Sequence, residues 1–134
     1  MRIFLMTILL ALLPSAAFAS VECSDRPECW PEGSAMHEGL TAKQRLEAAD
    51  KELNAAYQRI LKSLPADEDD EYPKRALIAA QRAWVKYRDA ECASVGETSG
   101  GARMWKSTYT VLCEADMTEA RTKELVHQFE NPEQ

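Results

Sequence analysis

Histidine is scarce in this chain of 134 residues: His37 and His127 are the only two, and neither stands at ligand spacing from a pair of cysteines. That disfavours a zinc site, and no serine, histidine and acid arrangement marks a hydrolase. No pattern asks for a cofactor. Positive charge is also short, with 16 Lys and Arg against 22 Asp and Glu for a formal charge of −6. Such a balance argues against nucleic acid as a partner and for a basic protein. A membrane span is missing as well, because the longest apolar run, Ile3 to Leu13, falls short of the roughly 20 residues that a bilayer core requires. Internal repeats and low-complexity tracts are absent.

What is present begins with a leader. Arg2, the apolar run and small residues ending in Ala17-Phe18-Ala19 have the layout of a secretory signal peptide over residues 1–19, cleaved after Ala19. The remainder, residues 20–134, is the length of one domain and carries 15 basic and 22 acidic residues, a formal charge of −7. The expected location is the periplasm or the medium. All four cysteines, Cys23, Cys29, Cys92 and Cys113, lie after the leader, so export places them in an oxidising compartment where disulfides form.

Residues 20–40 hold Pro27, Pro31, Gly33, Gly39 and two cysteines without any period, which reads as a loop-like hook with at most one short turn after Ser34. Thr41 and Gln44 then have the spacing of a capping box, and Leu46, Ala49, Leu53, Tyr57, Ile60 and Leu64 follow at helical spacing until Pro65. Pro73 suits the first turn of a second helix, which the pattern carries through Val95 to a break at Gly96. A third helix places Met104, Thr108, Val111, Ala115, Thr118, Thr122, Val126 and Phe129 on one face, with Ser107 or Thr108 as an alternative cap. The pattern predicts an all-α fold, a small antiparallel three-helix arrangement with a disulfide-tethered N-terminal hook.

The second helix carries polar residues where apolar ones belong. At about 100° per residue from Leu77, the positions of Gln81, Trp84, Val85, Arg88 and Cys92 form one stripe. In the first helix Asp50 falls inside the corresponding stripe and Asn54 at its margin. If the two helices form a hairpin about residues 65–72, Asp50 comes level with Arg88, and Tyr57 with Gln81. A carboxylate and guanidinium would then meet between helices. The pair reads as a structural device that sets register or as part of a ligand cleft; the third reading has Arg88 extend past its neighbours to water. Trp84 reads either as core or as an exposed anchor.

Four cysteines allow three pairings. Either Cys92 joins Cys113 and Cys23 joins Cys29, or each helical cysteine binds one in the hook. The first needs a late start of the third helix, since ten or so residues of helix from Ala102 carry Cys113 about 16 Å along the axis.

The segments "AADKELNAAYQRILKSL", "LIAAQRAWVKYRDAEC" and "MTEARTKEL", with a glycine-containing break and a cysteine between the last two, resemble the lysozyme inhibitor LprI-like N-terminal domain family over residues 45–126. The strongest part is the series Gln81, Trp84, Tyr87, Arg88 and Cys92. Asp50, Leu53, Asn54 and Tyr57 match the family's first-helix motif, and Cys113, Thr118, Arg121 and Leu125 its third. Gly39 stands near where the family commonly has a cysteine, leaving Cys29 to take its place. The resemblance implies an exported binding protein that inhibits a lysozyme-like peptidoglycan hydrolase, a basic muramidase for example, and no enzyme activity of its own. The acidic run Asp67, Glu68, Asp69, Asp70 and Glu71, with Tyr72 beside it, is the candidate contact surface. A solvated linker is the plainer reading of that run. Two other roles fit the same features: an immunity protein against a wall-cutting toxin, or an assembly-associated envelope protein meeting its own kind through Trp30, Trp105 or Tyr109. Catalysis by Glu91, Glu97 or the acidic run lacks a frame that would hold two carboxylates about 5 to 9 Å apart.

Overall fold

The structure is a computed structural model that describes residues 24–65 and 72–130. A single 3₁₀ turn, Pro27–Cys29, precedes three α-helices: α1 Ala35–Ser63, α2 Tyr72–Thr98 and α3 Arg103–Phe129. No strand occurs among the described residues. The leader read at residues 1–19 lies outside them, as do Cys23 and the acidic run 67–71.

Helix α1 starts six residues before the capping box expected at Thr41. Ser34, in extended backbone, accepts a hydrogen bond on Oγ from the His37 amide at 3.2 Å, and this cap begins the helix. Gly39, expected to break the chain, sits inside the second turn. Its missing side chain is used there: a Cβ would lie 3.0 Å from Thr108 Oγ1 on α3. The Thr108 hydroxyl in turn reaches the carbonyl of Ala35 at 3.2 Å and that of Met104 at 3.1 Å, joining the two helix starts. The hook is held to the same turn, where His37 Nδ1 donates to the Pro27 carbonyl at 3.0 Å.

Helix α2 likewise runs past its expected break at Gly96 to Thr98, and the chain reverses over residues 99–102. Gly100 and Gly101 adopt φ of +75° and +87°, a region that favours glycine. Gly96 remains helical because α3 crosses close to it. A Cβ there would collide with Thr110 Oγ1 and lie 2.7 Å from the Lys106 carbonyl oxygen. Gly96→Ala should therefore destabilise the fold by about 1 to 3 kcal/mol, the range for overpacking, although alanine is the better helix former. Urea denaturation checks this, and an unchanged or raised midpoint would contradict the close approach.

Ion pairs and a disulfide between helices define the topology. Arg45 bridges to Asp116 and Glu119 at 2.7 Å, and Arg59 to Glu130 at 3.2 Å, so α1 and α3 run parallel. The Cys92–Cys113 disulfide and Lys106–Glu97 (2.8 Å) set α2 antiparallel to α3. The principal packing is α1 on α3, then α2 on α3, whereas the α1 and α2 backbones of the hairpin expected from sequence stand farther apart and meet through side chains such as Asp50 and Arg88. Small residues explain the difference. Ala42, Ala49 and Ala56 alternate with Leu46, Leu53 and Ile60 at spacings of three and four along α1, and all three alanines are buried, as are Thr108, Ala115 and Thr118 on α3. Alanine and threonine let two backbones approach where larger side chains would hold them apart.

The apolar core lies towards the end formed by the α1 C-terminus and the α2 N-terminus. Leu53, Ile60, Leu77 and Leu125 are buried there, with Tyr57, Leu61, Leu64, Trp84 and Phe129 packed against them. On α3 the buried Thr108, Ala115 and Thr118 fall on the expected stripe, and Leu125 joins them from beside it. Leu125 is fully buried and Met104 is 48% exposed, because this helix must serve two neighbours. The other end of the bundle holds glycine contacts, threonine hydroxyls and the disulfide.

That disulfide answers the question of pairing. Cys92 and Cys113 are bonded, with Cα atoms 5.4 Å apart, although α3 starts early. Axial distance gained along α3 is offset because α2 continues six residues beyond Cys92 before the chain turns back. Cys29 is also disulfide-bonded.

Candidate functional site

Arg88 is the centre at which all three helices meet. Its Nη1 donates to Asp50 Oδ1 of α1 at 3.0 Å and to Thr118 Oγ1 of α3 at 2.9 Å, while Nε and Nη2 donate to Asp89 Oδ1 at 3.0 and 2.9 Å. Thr118, fully buried in α3, passes its own hydrogen to the Glu114 carbonyl at 2.6 Å. The guanidinium side chain is only 13% exposed. Burial works against its charge, and the hydrogen bonds it donates to Asp89 and Asp50 outweigh that, raising its pKa above the ordinary arginine value.

The Trp84 ring sits between two cations. Arg88 Cζ is 5.5 Å from its centroid and Arg121 Cζ is 5.8 Å, both within cation–π range. Arg121 also donates from Nε to Gln81 Oε1 at 3.2 Å and from Nη1 to Glu124 at 3.2 Å. Glu114 lies nearby, and its carboxyl pKa is raised. Desolvation is the main cause, Arg88 pulls the other way, and Asp89 and Asp50 add to the rise.

Above this network the disulfide packs against Met117, whose Sδ lies 3.5 Å from Cys92 Sγ and 3.9 Å from Cys113 Sγ. Oxidised sulfurs carry no hydrogen, so these are packing contacts.

The residues singled out in the sequence therefore divide. Asp50, Arg88, Trp84 and Gln81 enter one network. Gln81 meets Arg121 rather than Tyr57, because α3 comes closer to α2 than α1 does. Tyr57 packs on the core and also lines an open groove with Gln81. Asn54 is exposed and makes no hydrogen bond to a described residue. Tyr72 opens α2 and is 70% exposed. Asp89, Glu114 and Met117 were not singled out, and Thr118 and Arg121 had no assigned role. Thr118 was visible as a polar break in the third helix's stripe.

Chemically the network holds rather than reacts, since each charge facing Arg88 is opposed within it. Among the described residues no three His, Cys, Asp or Glu side chains come together in a way that could hold a metal ion, and no helix is long and apolar enough to cross a membrane. Charge is distributed unevenly along the chain. The described residues contain 15 Lys and Arg and 15 Asp and Glu, so the helical body is balanced. The remaining acids lie outside the described residues: Glu22, the five at 67–71 and Glu133.

The fold and this network define a small helical domain tied together by a disulfide and a buried arginine. The chain belongs to the lysozyme inhibitor LprI family, whose model matches residues 29–125. It is similar to an uncharacterized protein of Rhizobium meliloti (strain 1021), 35% identical over 115 residues that cover 80% of this chain and 82% of that one. No solved structure matches it.

Proposed function

We infer that the chain is exported to the periplasm and there binds and inhibits a basic, lysozyme-like peptidoglycan hydrolase. The observation that carries this reading is the charge distribution. With the helical body balanced, five of the remaining acids are consecutive, Asp67 to Glu71, between α1 and an exposed Tyr72. A concentrated negative run accelerates encounter with a basic surface, and an exposed aromatic at its edge supplies retained contact. Membership of a family described as lysozyme inhibitors supports the partner class.

Replacing Asp67, Glu68, Asp69, Asp70 and Glu71 by their amides should lower the association rate with a basic lysozyme at least tenfold at low salt and flatten its salt dependence. Dissociation should change much less, while Tyr72→Ala should mainly accelerate it. Stopped-flow binding and calorimetry at two ionic strengths measure both. Lack of binding at micromolar protein in low salt would remove these hydrolases as partners. A variant of the acidic run that associates like the parent would move the contact elsewhere.

A further inference from the structure

The three helices close on each other unequally, and the seam between α1 and α2 stays open. A groove of about 390 Å³ runs there, lined by Tyr57 of α1 and by Ile78, Gln81, Arg82, Val85 and Lys86 of α2. Its floor is apolar. Ile78 and Val85 are half-buried and two helical turns apart, roughly 10 Å at 1.5 Å per residue. The Tyr57 hydroxyl makes no hydrogen bond to another described residue.

The α2 wall is cationic. Arg82 and Lys86 stand one turn apart, both exposed. Like other exposed cations of the helices, Lys43, Lys51 and Lys123 among them, neither has an ion-pair or hydrogen-bond partner among the described residues. Two free cations beside an apolar floor in a balanced helical body form a local surface of opposite sign to the 67–71 run.

We propose that the α1–α2 groove docks an amphipathic helix of another protein, one that carries acidic residues a turn apart beside its apolar stripe. A helix fits because the walls are themselves long helices, and a bundle with one open seam is completed by a further helix. The Ile78 and Val85 spacing matches apolar anchors at i and i+7. Acidic flanks follow from Arg82 and Lys86. A second copy seated with its two-fold axis through the groove is disfavoured, since that arrangement brings the Arg82 and Lys86 pairs of the two copies together. The proposal is independent of the hydrolase reading, which uses the 67–71 run and Tyr72.

The test uses the whole oxidised chain and two probe peptides of the same length, each held helical by bridges on its outer face. Both carry leucines at i, i+4 and i+7, one with glutamates a turn apart on the flank and one with lysines there. The glutamate peptide should bind at least tenfold more tightly and shift the backbone amide signals of Tyr57, Ile78 and Val85. Joint substitution Arg82→Glu and Lys86→Glu should reverse the preference, a result that general loss of structure would not produce. The proposal is overturned if neither peptide binds at about 1 mM, if both bind alike, or if the shifts lie outside the groove. It is also overturned if sedimentation shows self-association through these residues, which would make a second copy the occupant.

Discussion

Arg88→Ala should lower the stability of the domain by about 3 kcal/mol and its melting temperature by roughly 10 °C, while Lys51→Ala on the exposed face of α1 stays within about 0.5 kcal/mol. The size follows from what the substitution leaves behind. Asp50, Asp89 and the Thr118 hydroxyl each lose a donor, and Trp84 loses one of its two cations. Removing one side of a largely buried pair is more damaging than removing both, because the remaining charge loses its opposing partner where water reaches it only in part. Asp50 keeps 43% of its side chain exposed, which holds the expected value at the lower end of the range for buried pairs. A double-mutant cycle with Asp50→Ala should return a coupling above about 0.5 kcal/mol. Less than that would mean that Arg88 is held by Asp89 and Trp84 alone.

The same variant should respond to pH. Glu114 already has a raised carboxyl pKa, chiefly from desolvation, with Arg88 opposing the rise. A carboxyl whose folded pKa is raised binds its proton more tightly in the folded state. Its contribution is therefore most favourable at low pH and is lost as pH climbs from the unfolded pKa through the folded one. Without Arg88 the opposing influence disappears and Glu114, Asp50 and Asp89 are left to repel each other. The difference between parent and Arg88→Ala should then shrink as pH falls from neutrality into the carboxylate range, provided both remain folded. A constant difference would show that lost packing, not unopposed charge, is the cause.

Much of this arrangement was legible because polar residues interrupted apolar stripes. Asp50, Gln81 and Arg88 stood where helical periodicity demanded leucine, and a register count between helices brought Asp50 to Arg88. The count worked even though the α1 and α2 backbones stay apart, because the long Arg88 side chain spans the gap to Asp50 and Thr118 of α3 completes the site from a third direction. Tyr57 and Gln81 show the limit of the same reasoning. They were level, but level residues meet only if their helices are neighbours, and here α3 stands closer to both. That choice was set by alanines, which periodicity counts as merely apolar. Gly39 and Gly96 misled for a related reason. Glycine in a sequence reads as a break, yet both lie inside helices where a crossing α3 leaves no room for a Cβ. Local sequence records the conformational freedom of glycine, and only the packed helices reveal that its lack of volume is what matters here.

Losing the disulfide should be comparably damaging, and unevenly so along the bundle. Joint replacement of Cys92 and Cys113 by serine opens a cross-link between residues 21 apart, for which loss of loop-closure entropy alone predicts about 3 kcal/mol. Two hydroxyls would also be placed where Cys92 is fully buried and Met117 offers only a thioether. The apolar cluster of Leu53, Ile60, Leu77 and Leu125 lies at the opposite end and does not depend on the bond. The expected consequence is that the turn at residues 99–102 and the adjoining ends of α2 and α3 open first, while the Leu77 and Leu125 end stays closed. Hydrogen exchange should show this as lost amide protection around Glu97 and Lys106, with protection near Leu53 and Leu125 lowered only by the fall in global stability. Uniform loss along all three helices would instead mean that the bundle unfolds as one cooperative unit, with the glycine contacts and the buried arginine transmitting the disturbance from end to end.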